Sequence, residues 1–286
     1  MSVSSLTWLK RCLLGLLLIL SGLVPVVHAV DDINSGLLLY LPLDGNTKDS
    51  SGKGNHGSAN NNISFAAGVK GQAANFNGTN WISVPVTNDF KFQNQSISYS
   101  LWVENASEYR SAAAMYIFLV GTSWYGTVPQ VAVGKYQGNI LMRTVPWLYG
   151  NYEASSGNGI REGKNSWNHI VGVVDYPNKV VKVYTNGVLR QSASIGGITS
   201  LAATTLKIGG DYYNGRYYTH TGSLDEVRIY NRVLTETEIQ SLAIASPQPN
   251  AGSDVTVEVG DTVNFNGYFS DADQDGPYSK SSIKRA

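Results

Sequence analysis

Short stretches that alternate apolar and polar residues recur along most of this chain, while almost nothing in it repeats with the 3.6-residue period of a helix. Residues 81–84, 96–103, 115–120, 130–133, 139–144, 168–174, 180–184, 205–208 and 224–230 all read this way. Turn signals separate them, among them Asn77-Gly78, Asn186-Gly187 and Gly209-Gly210. Many short strands with such punctuation and no interleaved helices predict an all-β fold, an antiparallel β-sandwich. The clearest hairpin is VVKVYTNGVLRQS, because a two-residue type I′ turn needs positive φ at both central positions. A helical signal occurs in NRVLTETEIQSLA. There Thr235 precedes Glu238 with capping-box spacing and Leu234, Ile239 and Leu242 form an apolar stripe, so one short helix is expected to close the domain.

Two ends of the chain are set apart from that domain. Residues 1–29 read as a cleaved signal peptide: Lys10 and Arg11 are positively charged, Leu13 to Leu23 is apolar, and Val27-His28-Ala29 supplies small residues at a cleavage site. The apolar run is shorter than the ~20 residues of a membrane span. The expected location is therefore secreted or cell-surface, with no membrane span in the mature chain. Cys12, the single cysteine, leaves with this segment, so neither a disulfide framework nor a thiolate metal site is expected. The formal net charge of +0 turns slightly acidic once Lys10 and Arg11 are gone, and no basic block remains to bind nucleic acid. The sandwich is assigned to residues 30–245 and a Pro/Gly/Asn/Ser-rich linker to 246–252. Residues 253–286 alternate again as an incomplete second β module, with SKSSIKRA standing where a core would continue.

Hard cations such as Ca²⁺ take six to eight oxygens from carboxylates, carbonyls and water. In LPLDGNTKDSSGKGNHG, directly after the strand-like run GLLLYLPL, Asp44, Asn46 and Asp49 stand at short spacing among glycines that let a loop fold its carbonyls inward. The partner such a site needs is Asp225 in GSLDEVRIY, expected on the same buried strand face as Val227 and Ile229. A sandwich that pairs its first and last strands would bring Asp225 beside Asp44. The competing reading has Asp44 and Asp49 capping turns and Asp225 paired with a basic residue. His56 reads as a turn residue or hydrogen-bond donor rather than a ligand. Asp271, Asp273, Asp275 and Gly276 imitate the start of an EF-hand loop, but its twelfth position is Ser282 instead of Glu.

Several segments in order resemble the laminin-G-like, concanavalin A-like jelly-roll modules of secreted bacterial proteins. LYLPLDGNTKDSSGKGNHG looks like the opening strand and loop, SISYSLWVE like the strand with an inward Trp, and SWNHIVGVVDYPNKVVKVYTNGVLRQS like the Trp-x-His hairpin. LKIGGDYY and GSLDEVRIYNRVLTETEIQSLA are similar to the strands and helix that complete the module. The resemblance implies a structural calcium at the junction of the first and last strands, with Asp44, Asp49 and Asp225 on matching positions. It also places Trp102 and Trp167 in the core. The tail PNAGSDVTVEVGDTVNFNGYFSDADQDG resembles the first half of a polycystic-kidney-disease-type, immunoglobulin-like module.

Sugar recognition needs an aromatic platform beside polar groups, because a pyranose has an apolar C–H face and a hydroxyl rim. Candidate contacts are Trp124, Tyr125, Trp147, Tyr149 and Tyr152 in the middle of the chain and Tyr212, Tyr213, Arg216 and Tyr217 in DYYNGRYYTH. Trp81 leans towards the core. No catalytic constellation emerges: a Glu-x-Asp-x-x-Glu strand and a Gly-x-Ser-x-Gly elbow are both absent, and His56, His169 and His220 lack zinc spacing. GKGNHG matches Gly-x-Gly-x-x-Gly, but SANNNISF comes next, where a phosphate-binding helix should begin. The expectation is a non-enzymatic, carbohydrate-binding recognition module with a structural calcium, part of a larger surface or secreted protein. Its partner would be a glycan. The alternatives are a protein-binding adhesion module, whose partner is a cell-surface or extracellular protein, and a structural spacer.

Overall fold

The first strand of the domain, β1 (Leu37–Leu41), is antiparallel to a strand from the far end of the domain, and that pairing joins the two ends of the sandwich. The computed structural model describes residues 32–104, 114–120, 130–136, 139–145, 152–156, 166–195, 200–202, 204–210, 212–213, 216–217, 219–244, 248–250 and 268–270. The chain divides into two units, Met1–Asp32 and Ile33–Ala286, and every described strand belongs to the second. The segment assigned to a signal peptide lies outside the described residues.

After β1 come β2 (Ser58–Asn60), β3 (Ser64–Ala67), β4 (Gln72–Asn77), β5 (Trp81–Val84), β6 (Lys91–Gln93) and β7 (Ile97–Glu104). The middle of the chain supplies β8 (Ala114–Val120), β9 (Gln130–Tyr136), β10 (Asn139–Val145), β11 (Tyr152–Ser155), β12 (Trp167–Asp175), β13 (Val180–Thr185) and β14 (Val188–Ser194). Next are β15 (Ser200–Ala202), β16 (Thr205–Ile208), β17 (Tyr212–Tyr213), β18 (Arg216–Tyr217) and β19 (Thr221–Tyr230). Helix α1 (Glu236–Leu242) precedes β20 (Gln248–Asn250) and β21 (Tyr268–Ser270). One large sheet runs β14-β13-β12-β7-β19-β4-β3, with β1 also on β19; the other runs β11-β10-β9-β8-β16-β5-β2. All their pairings are antiparallel, as the alternating pattern predicts.

Alternation puts one set of side chains from each sheet into a shared core. Leu39, Leu41, Phe76, Tyr99, Leu101, Val103, Ile170, Val183, Leu224 and Ile229 from the first sheet meet Ile82, Val84, Ile117, Val133, Leu206 and Ile208 from the second. A second apolar layer lies on the back of the first sheet. Leu37, Val171, Val173, Tyr184 and Tyr230 are covered there by Leu234 and Ile239 of the closing segment. The capping box forms as expected, with Glu238 N–H donating to Thr235 Oγ1 (3.2 Å) and Thr235 N–H to Glu238 Oε2 (2.7 Å). In the β13–β14 hairpin both Asn186 and Gly187 have positive φ, as a type I′ turn requires.

Trp102 and Trp167 are core residues as expected, in a small buried cluster with Val69 and Ala73 on the back of the first sheet, where Trp102 Nε1 donates to the carbonyl of Leu242. Trp81 does not join the core: Ile82 and Val84 point inward, so Trp81 and Ser83 point out from the second sheet. The stretch assigned to a linker, 246–252, contains β20, which pairs with β21 in a separate two-stranded ladder. The remainder of 253–286 lies outside the described residues.

Candidate functional site

Strand β19 carries the feature that organises this site. One of its edges is taken by β7 along 224–230. The other is shared end to end: β4 pairs with 221–224 and β1 with 227–230. Between the two partners lie Asp225 and Glu226, at a β-bulge where Glu226 adopts a left-handed φ of 52°. A bulge adds one residue to a strand and reverses the facing of the residues beyond it. Asp225 therefore stands directly opposite Trp102, and its expected alignment with Val227 and Ile229 on the inner face is corrected.

A split edge leaves backbone donors without a strand to accept them, and a buried unpaired N–H costs about 1–3 kcal/mol. Carboxylates answer that need here. Asp225 Oδ2 accepts from Val69 N–H (2.9 Å) and Lys70 N–H (3.1 Å), while Oδ1 accepts from Glu226 N–H (2.8 Å). Asp44 Oδ1 accepts from Gln72 N–H (2.6 Å) at the far side of the same turn. Gly71, with φ of 67°, permits this approach, since a Cβ there would collide with Asp44 Oδ1. Asp44 and Asp225 thus meet on the turn 68–72, which leads into β4.

The other two candidate ligands are held elsewhere. Asn46 closes a local turn, its amide donating to the Asp44 carbonyl and its Oδ1 accepting from Lys48 N–H. Asp49 Oδ1 accepts from Tyr40 and Ser51 N–H, and its Oδ2 from Asn55 N–H and the Ser51 hydroxyl, all at 2.8–2.9 Å. Burial alone would raise its pKa; these four bonds outweigh that and lower it. His56 Nδ1 accepts from Asp49 N–H, the turn role expected of it. Among the described residues no group of three or more His, Cys, Asp or Glu is placed to hold a metal, so the four-residue set does not form one cluster.

Asp225 differs electrostatically from Asp49. Burial pushes its pKa up to about 7, the nearby Glu226 charge adds to the rise, and the backbone donors from Lys70, Glu226 and Val69 offset it only in part. No cationic side chain among the described residues pairs with it, so the alternative of a basic partner is not what is found. Glu226 takes the neighbouring cation instead. Its Oε2 is 2.6 Å from Arg228 Nη2 and its Oε1 accepts from the Tyr40 hydroxyl at 2.8 Å, with the guanidinium 4.0 Å over the Tyr40 ring. Sequence reasoning missed Glu226, Tyr40 and the turn 68–72. The paired glycines of AAGVKGQA were the available signal for that turn.

The aromatic candidates are placed only in part. Register puts Tyr212 opposite Tyr217 and Tyr213 opposite Arg216 in a small ladder, and Tyr152 opposite Thr144 on β10. Trp124, Tyr125, Trp147 and Tyr149 lie outside the described residues.

A two-sheet antiparallel sandwich joined through its first and last strands has the architecture of a jelly roll. A laminin G family model, described as the concanavalin A-like lectin/glucanases superfamily, matches residues 76–240, more than half of the chain. The chain belongs to this superfamily. Domain 4 of AbnA, an extracellular arabinanase of Geobacillus stearothermophilus solved with arabinotriose, is 23% identical with a TM-score of 0.56; the match covers 72% of this chain and 98% of that one. The binding domain of Paraclostridial Mosquitocidal Protein 1 is 18% identical with a TM-score of 0.60, over 77% of this chain and 57% of that one. The binding domain of botulinum neurotoxin serotype G is 16% identical with a TM-score of 0.58, over 75% and 55%. The match thus spans little more than half of each toxin domain. These likenesses establish the fold, and no curated protein matches the chain.

Proposed function

We propose that this protein is an exported, carbohydrate-binding recognition module and not an enzyme. The observation that carries the reading is the nearly complete coverage of a domain of an extracellular arabinanase that was solved in complex with arabinotriose. Jelly-roll loops set the ligand, and the aromatic candidates from Trp124 to Tyr152 and in 212–217 would supply the stacking surfaces. Protein recognition is the second reading, supported by the toxin binding domains built on the same fold.

The module is further proposed to hold a structural Ca²⁺. Asp225 supports this, as a buried carboxylate with backbone donors and no cationic partner among the described residues, and Asp44 reaches the same turn. Those two carboxylates, backbone carbonyls of the turn 68–72 and water would hold the ion, with Asn46 and Asp49 shaping the loop. A bound cation would neutralise the charge at the split edge and fix β1 against β4.

A glycan array probed with the full mature chain, in Ca²⁺ and in chelator, tests the recognition reading. Binding to a defined glycan class that falls at least tenfold in Trp147→Ala is expected. A blank array in Ca²⁺ would overturn the carbohydrate reading and leave protein recognition or a structural spacer role.

A further inference from the structure

The side of the first sheet that β1 and β4 divide between them ends in two outer edges, and the chain treats them differently. The outer edge of β1 is closed by the loop that follows it. The Leu38 carbonyl accepts from Asn55 Nδ2 at 3.0 Å, the Tyr40 carbonyl accepts from Ser50 N–H at 2.7 Å, and Tyr40 N–H donates to Asp49. On the opposite border of that sheet, β14 carries Arg190, and its Gln191 Oε1 accepts from Ser155 N–H of β11 at 2.6 Å. Strand β3 has neither device. Among the described residues only β4 pairs with it, and Ser64, Ala66 and Ala67 are exposed. Residues 58–68, SANNNISFAAG, contain no charged side chain and no proline. Charge, proline or cover is how a sheet keeps its edge from pairing with another chain, so this edge is a template for one. Its inner face is also unfinished: Ile63 and Phe65 pack against the main core yet stay only half-buried.

We propose that β3 docks a second copy of this chain, antiparallel and edge to edge, about a two-fold axis at Phe65. A continuous sheet keeps the inner faces on one side, so inward residues must oppose inward residues. Centring the overlap on Phe65 sets it opposite Phe65 of the second copy, Ile63 opposite Ala67 and Ser64 opposite Ala66. Aromatic then meets aromatic, a large side chain meets a small one, and no like charges face each other. The same patch serves both copies, as a two-fold contact requires. A charged peptide would find no counter-ion along 58–68, whereas a copy of this strand needs none. An overlap of so few residues buries less than the ~1,200 Å² of a standard interface. The dimer is therefore reversible, half-formed at roughly 10–100 µM.

Sedimentation velocity of the mature chain across roughly 1–300 µM tests the pairing, with a concentration-dependent shift from monomer to dimer expected. Ala66→Lys places a charge on the exposed face of the edge and should weaken the dimer at least tenfold, with the melting midpoint of the dilute protein unchanged. Cross-linking reads the register in chains carrying Cys12→Ser. Residues directly opposite in an antiparallel pair lie about 4.5–5.5 Å apart at Cα, within reach of a disulfide. Phe65→Cys should therefore cross-link with itself under mild oxidant. Ser64→Cys and Ala66→Cys should cross-link when mixed and not separately, since like positions would stand about 8 Å apart. This mixture keeps Phe65 in place, so it reads the register even where Phe65→Cys disturbs the fold. A chain that stays monomeric to the highest concentration would overturn the proposal. So would a dimer that persists in Ala66→Lys, or one in which the mixed pair fails to cross-link.

Discussion

Single side chains carry much of this sandwich's polar balance, and their surroundings decide which way each one titrates. His169 is fully buried on the back of the first sheet, its Nε2 2.9 Å from Ser100 Oγ and its Nδ1 without a hydrogen-bond partner among the described residues. Burial, helped by Arg228, lowers its pKa to about 3. Because the folded value lies below the unfolded one, its stability contribution is complete above about pH 6.5 and drains as pH falls. Each pH unit below that should cost about 1.4 kcal/mol until the folded value is reached. Urea melts between pH 7 and pH 5 should show this slope, and His169→Gln should flatten it. Asp49 acts in the same direction at lower pH, since its pKa is lowered. Asp49→Ala would strand the N–H groups of Tyr40, Ser51 and Asn55 and should cost about 2–4 kcal/mol in chemical denaturation. An unchanged midpoint in that variant would mean that water replaces the carboxylate without penalty.

At the scale of elements, strands with strict alternation and explicit turns are the legible ones. The hairpin of β13 and β14 announces itself through Asn186-Gly187, whose turn chemistry depends on no distant residue. Strands β2, β3, β4 and β6 escape a sequence reading because SAN, SFAA, QAANFN and KFQ are short or rich in small and polar residues, and partners far along the chain complete them. The bulge in β19 is equally illegible. It exists because β1 and β4 must share one edge, and it turns Asp225 to the opposite face from the one alternation predicts. Helix α1 is the contrasting case: its start is encoded locally in Thr235 and Glu238, and Arg232 secures Glu238 through two contacts of 2.6–2.7 Å. Thr235→Ala should lower global stability by about 1 kcal/mol, the usual loss of an N-cap. A shift well above that in thermal melts would show the cap anchoring more than the helix.

Across the whole molecule, the proposed cation is a question about how the two ends of the domain are joined. An ion that binds the folded chain and not the unfolded one stabilises it by RT ln(1 + [L]/Kd), about 2.7 kcal/mol at a hundredfold excess over Kd. Melting in millimolar Ca²⁺ should therefore exceed melting in chelator by several degrees, and Asp225→Asn should erase most of the difference. Identical midpoints in the two buffers would end the calcium proposal. The amino-acid sequence by itself determined the class of fold, because period-2 alternation and turn residues act between near neighbours and need no knowledge of the partner strand. It also determined the closing helix, whose capping box spans only the four residues from Thr235 to Glu238. Tertiary structure alone decided what the acidic residues do. Asp44 and Asp225 come together from opposite ends of the domain at a split sheet edge, while Asp49, close to Asp44 in the chain, spends its oxygens on its own loop and the first strand. Hydrogen-bond donors orphaned by long-range pairing made that division, and no local pattern records where such donors will fall.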